Sequence, residues 1–328
     1  MSYPELKNGA PPSRRDFLAL GVGALVVASI PFAGRRRVLA QRTVPLMGTL
    51  ADLVVVHRDP RYGHAAIDAA LGRLREVERV MTRFRDDSDV GRANLNAAED
   101  AVLVTRETAT VLAASLAWAE RTDGAFDPAL GRAMALWDVE HRQAPPPEAT
   151  VARLAGRRPY RGLDFSTWRG HAAVRFAERE MAIDLGGIAK GYGVDQAVAE
   201  LRAWGIRHAM VNVGGDLYAM GRSENGDPWQ VGVRSPDRAD ELVASFELED
   251  AAVATSGDYL RYFDYGGRRY HHLIDPETGA PRVSAARSLT VKAADCMTAD
   301  AAATACFGVQ GVSSAYWLRG RAEVLHTV

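Results

Sequence analysis

The hydrophobic pattern changes period several times along the chain. Over residues 65–82 apolar positions fall three and four apart, with Ile67, Leu71, Leu74, Val77, Val80 and Met81 on one stripe. That spacing predicts an amphipathic helix whose stripe is core. Residues 105–122 repeat it, with Val111, Leu112, Leu116 and Trp118 inward and Gly124 as the C-cap. Further helices are predicted over 147–155, over 191–204 with Val194, Val198 and Leu201, and in the alanine-rich stretch opening at Thr298. Between them lie short apolar runs of strand type. One spans 44–57, alternating around Met47-Gly48-Thr49 before turning continuously apolar at Leu53–Val56. Others are Ala209–Val213, Trp229–Val233, Ala244–Leu248, a run from Ala252, a run from Tyr270 and Leu289–Val291. Val174–Phe176 and Met181–Ile183 suggest a hairpin. Strands and helices mix without strict βαβ alternation and without a fixed-period repeat, so the class is α+β.

Three segments break the periodicity. The first is the glycine turn after Met181–Ile183: Asp184-Leu185-Gly186-Gly187-Ile188-Ala189-Lys190-Gly191-Tyr192-Gly193. A strand, paired glycines, a lysine and then a helix can present backbone N–H groups and one cation to a phosphate. The spacing is neither GxxxxGK[ST] nor GxGxxG, and a plain turn with a solvated lysine is the competing reading. The second is Gly214-Gly215-Asp216, a strand end where backbone can approach a ligand closely. The third, Phe84 to Asn94, is acidic and turn-rich, a solvated loop by composition. The sequence favours core for Phe84.

Composition adds bounds. The 328 residues are 47% hydrophobic and 25% charged, ordinary globular values, and the net charge of -1 gives no basic field for nucleic acid. The two cysteines, Cys296 and Cys306, stand roughly 15 Å apart if they share a helix, at 1.5 Å per residue. That is too far for an intrachain disulfide. At the N-terminus, Arg14-Arg15 precedes an apolar run from Ala19 to Ala33. The pattern reads as a twin-arginine export signal over residues 1–40, with Val38-Leu39-Ala40 as a cleavage site and residues 41–328 as the mature domain. An uncleaved anchor is the alternative. No cysteine follows the run, so a lipoprotein anchor is excluded. The expected location is periplasmic or otherwise extracytoplasmic.

Oxygen and nitrogen groups supply the candidate chemistry. Asp300 and Thr304 are four apart, on one helix face, and both offer oxygen ligands of the kind Mg²⁺ takes. Taken alone, the pair is better explained as a helix N-terminal Asp favoured by the dipole, with a Thr bonding back to a carbonyl. His272, in Tyr270-His271-His272, is a candidate general base or a structural hydrogen-bonding group. For Asp127, before Pro128, a plain Asx turn is the competing reading.

Eight motifs taken in order resemble one family, the ApbE flavin transferases (FAD:protein FMN transferases). They are Met47-Gly48-Thr49; Asp87-Ser88-Asp89-Val90 with Asn94; Gly124-Ala125-Phe126-Asp127-Pro128; Asp184 to Gly191; Val213 to Asp216; Thr255 to Tyr259; His272 to Gly279; and Ala299-Asp300 with Thr304. The resemblance runs from about Met47 to Gly311. It implies a single ApbE-type, T-fold-like mixed domain with an FAD cleft. It implies Mg²⁺-dependent transfer of FMN from FAD to a Thr or Ser hydroxyl of an exported or membrane-bound protein, with release of AMP. By the same resemblance Asp300, Thr304 and the Gly187 carbonyl hold the metal. Met47, Phe84, Ala125, Phe126, Asp127, Asp184, Lys190, Gly215, Asp216 and Ile274 line the FAD site, and His272, then Asp300, are the candidate bases. Relatives often carry tyrosine where Phe84 stands; stacking survives that change and a hydroxyl contact does not. Two other activities fit the same residues: FAD hydrolysis to FMN and AMP, and non-catalytic flavin binding.

Overall fold

Alternation with period two builds the centre of the molecule. The structure is a computed structural model and describes residues 25–28, 38–238, 240–309 and 318–328. The first half contains β1 (Leu25–Ala28), β2 (Val38–Leu46), β3 (Thr49–His57), α1 (Pro60–Met81), α2 (Asp89–Asn96), β4 (Val102–Leu103), α3 (Arg106–Arg121), α4 (Gly131–Trp137), α5 (Glu148–Ala152), β5 (Leu163–Trp168) and β6 (His171–Phe176). Then come α6 (Ala189–Ala203), β7 (Ala209–Val213), β8 (Asp216–Met220), β9 (Trp229–Arg234), β10 (Leu242–Leu248) and β11 (Ala251–Gly257). The chain closes with β12 (Tyr262–Tyr265), β13 (Arg268–His271), β14 (Ile274–Asp275), β15 (Ala280–Pro281), β16 (Ser288–Ala293), α7 (Cys296–Cys306) and β17 (Ala322–Thr327).

Seven strands form one antiparallel sheet in the order β17-β16-β11-β8-β7-β3-β2. Successive side chains point to opposite faces. In β3, Ala51, Leu53 and Val55 therefore join the main core, while Val54 and Val56 join a second one. β7 does the same with Val211 and Val213 against Met210, and β8 with Tyr218 and Met220 against Leu217 and Ala219. The main core lies under α1, α6 and α7; the second lies under a three-stranded sheet, β1-β9-β10. A sheet covered on both faces needs apolar residues at every position, which is why Leu53–Val56 runs on without alternating.

Several boundaries differ from the sequence reading. Residues 44–57 are not one strand but the end of one and the whole of another. Met47 and Gly48 both have positive φ, 54° and 67°, and make a two-residue turn between β2 and β3. That backbone twist suits the right-handed twist of a hairpin. The hairpin expected from Val174–Phe176 and Met181–Ile183 is absent, since β6 pairs with β5 and β4. Met181–Ile183 is an extended segment with one bridge, Leu130 to Ala182. Ala40 is fully buried in β2, which pairs with β3 back to Val38. Leu25–Ala28, within the apolar run of the N-terminal segment, pairs with β9. Arg14-Arg15 and the rest of the expected signal lie outside the described residues.

The fold positions the site through one close crossing. Gly191 in α6 faces the first turn of α7 so tightly that a Cβ there would lie 2.3 Å from the Cys296 carbonyl oxygen. Gly191→Ala is expected to force the helices apart at a cost of about 1–3 kcal/mol, as overpacking does. Denaturant unfolding of the variant checks it; an unchanged midpoint would show that the crossing tolerates a methyl group.

Candidate functional site

The glycine turn is held by side chains distant in sequence. The Asn94 amide donates to the Ile183 carbonyl at 3.0 Å and accepts from the Ile183 N–H at 2.7 Å. Those two bonds mimic a strand partner, which explains why an extended segment survives outside a sheet. On either side, Asp184 N–H donates to the Pro128 carbonyl and Gly131 N–H to that of Ala182, both at 2.8 Å. Asp184 then makes an Asx turn, one oxygen accepting from Gly186 N–H at 2.8 Å, while the other meets Arg83 Nε at 2.8 Å. The turn delivers the chain into α6 at Ala189.

Helices α6 and α7 bring the charged groups together. Asp295 caps α7 by accepting from Thr298 N–H at 2.8 Å. Asp195, reaching across from α6, accepts from Cys296 and Met297 N–H at 2.8 and 2.9 Å. Four orphan donors at a helix start need such partners. Burial raises the Asp195 carboxyl to about 7 despite these bonds. One turn further on, Asp300 is 3% exposed and accepts from Gly191 N–H at 3.0 Å. The Lys190 ammonium donates to Asp216 and stands 3.5 Å from both Asp300 oxygens. Asp216 is at the start of β8, placed there by the Gly214-Gly215 turn. Burial, then the Asp300 charge, raises the Asp216 carboxyl to about 7, with Lys190 pulling the other way. Burial by itself would lower the Lys190 ammonium; the charges of Asp216 and Asp300 outweigh it and raise it.

Two of the expected metal donors lie on neighbouring segments. Gly187 lies against α7, where a Cβ would come 3.0 Å from Thr304 Oγ1 and 3.3 Å from the Phe126 ring. Thr304 is one turn beyond Asp300. The donors are one carboxylate, one hydroxyl and one backbone carbonyl, all hard oxygen. Among the described residues no three His, Cys, Asp or Glu side chains cluster as a metal cage. A set this small suits Mg²⁺, which commonly combines one or two carboxylates with substrate phosphate and water.

A second wall of expected residues is built from β12 to β15 and the Ala125 loop. His272 is half-buried, and its shielded Nδ1 has no hydrogen-bond partner among the described residues. Burial above all, then the nearby Arg261 charge, pushes its ring down to about 3. It is therefore neutral near pH 7, as a proton acceptor must be. Arg261 Nη2 donates to the Gly48 carbonyl at 2.8 Å and ties this wall to the β2–β3 turn. There Met47 N–H donates to Glu78 Oε1 at 2.8 Å, and its sulfur faces Gly193 of α6. Gly215 N–H donates to Asn212 Oδ1 at 3.0 Å. Phe126 and Ile274 are buried, at 3% and 4%. Asp127 accepts from Ala129 and Tyr160 N–H at 2.8 and 3.2 Å, and burial raises it to about 6. With both oxygens occupied by backbone, it shapes the loop. Phe84 departs from the core reading: it is 76% exposed, with the Arg83 guanidinium 4.3 Å above its ring. Its position after α1, in a turn rather than on the helical stripe, leaves it open for stacking.

Arg282 escaped the sequence reading. Its guanidinium donates to the carbonyls of Ala125, Thr304 at 3.0 Å, Ala305 at 3.1 Å and Phe307 at 2.6 Å, while Nε reaches that of Ile274 at 3.4 Å. A cation at the C-terminus of α7 satisfies carbonyls that the helix cannot and complements its dipole. It also joins three segments of the site. The Arg282 carbonyl in turn takes a bond from His271 Nε2 at 2.9 Å, while His271 Nδ1 accepts from Leu273 N–H at 3.2 Å. A lone arginine after Gly-Ala-Pro carries no pattern that announces this role. Asp195 is equally silent, one acid within an otherwise small and apolar helix face.

Two measurements follow. Arg282→Met strands at least three carbonyls and is expected to cost about 2 kcal/mol or more; denaturant unfolding tests this, with Arg282→Lys recovering part of the loss. For His272, the folded ring sits below its ordinary value of about 6.5. The unfolded chain therefore takes up the proton first, and this group lowers stability as pH falls from about 6.5 toward 3. In ring-labelled protein the His272 carbon resonance is expected to stay at its neutral position from pH 8 to 5; an inflection between 6 and 7 would contradict the buried environment.

Comparisons with known proteins identify the family. The ApbE family model matches residues 47–326. A Treponema pallidum FAD:protein FMN transferase is 34% identical over 308 residues, covering 88% of this chain and 84% of its own. The Vibrio cholerae protein of the same name is 33% identical, over 79% and 78%. Among solved structures, the ApbE protein of Thermotoga maritima superposes with a TM-score of 0.74 at 33% identity, covering 82% of this chain and 86% of that one. The flavin transferase ApbE of Vibrio cholerae gives 0.71 at 29% identity over the same shares. With a matching family model across most of its length and relatives above 30% identity, this chain belongs to the ApbE family.

Proposed function

We infer that the protein is a transferase that moves the FMN moiety of FAD onto a Thr or Ser hydroxyl of an acceptor protein, releasing AMP. The observation that carries this reading is the Lys190–Asp300 cluster at the α6–α7 crossing, with Gly187 packed against Thr304 one turn further along α7. Its relatives bear the name of that activity.

The chemistry is phosphoryl transfer, which asks a protein for positioning and electrostatics more than for covalent help. The acceptor hydroxyl oxygen bonds to the flavin-side phosphorus. The bond from that phosphorus to the bridging oxygen breaks, and AMP leaves with the bridging oxygen and its electron pair. The hydroxyl proton passes to a base. His272, neutral near pH 7, is the first candidate. Asp300, the second candidate, is already engaged by Gly191 N–H and faces Lys190. Bound Mg²⁺, held by Asp300, Thr304 and the Gly187 carbonyl, would neutralise diphosphate charge. Lys190 adds positive charge on the same side. Phe84 offers its exposed face to the flavin ring, and the Arg282-braced Ala125 and Ile274 shape the pocket beside it. The Arg14-Arg15 pattern supports export, and hence an acceptor that is exported or membrane-bound.

The test is flavinylation in vitro with FAD, Mg²⁺ and an acceptor bearing an exposed Thr or Ser, read by in-gel flavin fluorescence. Wild type is expected to label the acceptor covalently. Asp300→Ala and His272→Ala are each expected to lose at least about 100-fold in rate, the scale of general-base and metal contributions. Full activity of Asp300→Ala across a magnesium titration would refute the metal assignment. Rapid AMP release with the acceptor omitted would identify a hydrolase instead.

A further inference from the structure

The metal donors do not stand free. Lys190 places an ammonium 3.5 Å from both oxygens of Asp300, while bonding to Asp216 on its other side. Both carboxylates are almost wholly buried, at 2% and 3% exposure. One cation thus serves two acids. A divalent ion on Asp300 must share that carboxylate with a neighbouring positive charge, and like charges at such distances repel strongly where water is scarce. Asp216 is what keeps the ammonium on the far side. It comes from a different element, β8, and hydrogen-bonds to Lys190 alone among the described residues.

We propose that the Lys190–Asp216 pair is a charge lock on the metal site: the ammonium weakens divalent-ion binding to the empty enzyme, and Asp216 restrains it from closing the site altogether. The idea rests on the metal-dependent transferase reading above and adds an order of binding to it. A diphosphate brings two negative charges to the same place. Those charges offset the ammonium, so a divalent ion enters together with the nucleotide diphosphate rather than before it. An enzyme built this way avoids holding a bare ion, and Lys190 is left facing the diphosphate when both are present. Asp216 acts here as a positioning residue, through Lys190, and touches neither metal nor substrate in this role.

Two variants give opposite signs. Lys190→Met removes the competing charge and is expected to tighten Mn²⁺ binding to the nucleotide-free protein by about tenfold or more, the order set by removing a like charge a few ångströms away. Asp216→Asn frees the ammonium to settle on Asp300 and is expected to weaken it by a similar factor. The readout is the free Mn²⁺ signal in electron paramagnetic resonance, with and without ADP as an unreactive diphosphate. ADP should tighten Mn²⁺ binding to wild type, and less so to Lys190→Met. A merely structural brace would loosen the site in both variants, so weaker binding in Lys190→Met with a native unfolding midpoint overturns the proposal. If Lys190→Met does not fold, unchanged or tighter Mn²⁺ binding by Asp216→Asn overturns it instead. Wild type that takes up no Mn²⁺ even with ADP would overturn the metal reading itself, a result distinct from wild type that binds while Lys190→Met shows no gain.

Discussion

The close crossing of α6 and α7 at Gly191 is the constraint on which the site depends. With no side chain at that position, the backbone of one helix rests on the first turn of the other. Three consequences follow from that one contact. Asp300 receives the Gly191 N–H, so its carboxylate is fixed in direction before any ligand arrives. Lys190, one residue earlier, is carried into reach of Asp300 and Asp216. Asp195, four residues later, lands on the exposed N–H groups of Cys296 and Met297 and pins the start of α7. A side chain at Gly191 would disturb all three, because they share a single geometric cause.

Around this crossing the molecule is layered to keep the helices still. The seven-stranded sheet offers one apolar face to α1, α6 and α7 and the other to a second, smaller sheet. Burial on both sides makes the sheet a rigid floor, since close-packed interiors transmit displacement rather than absorb it. The turns at its edge then carry function with precision. The β2–β3 turn presents Met47, held by Glu78, and the β7–β8 turn presents Asp216. The far wall, less regular, is stiffened by Arg282, whose carbonyl partners come from the Ala125 loop, Ile274 and the end of α7.

The electrostatics of the site are set by burial and by one lysine held between two acids. Burial raises Asp216 and lowers His272, in each case disfavouring the charged form. The neutral histidine and the shared lysine lie in one small region, which is the arrangement expected where proton transfer and phosphate charge must be handled at the same point.

Period and order in the sequence determined a great deal: α1, α3, α6 and α7, most strands of the central sheet, and the motifs that mark the ApbE family. These are local properties, readable because a helix repeats its apolar face every three or four residues and a covered strand has no polar face. The sequence also showed that Asp300 and Thr304 share a helix face, which is a matter of spacing alone. It placed Phe84 inside and joined Val174 to Met181 in a hairpin; instead Phe84 stands exposed in the turn after α1, and β6 pairs with β4 and β5. Tertiary structure alone decided that Met181–Ile183 is completed by Asn94, that Gly187 rests on Thr304, and that Lys190 sits between Asp216 and Asp300. It alone revealed Arg282 and Asp195, whose partners are backbone atoms that every residue possesses. Hydrogen bonds to backbone leave no compositional trace, so their contribution becomes visible only when the chain has folded and the distances are known.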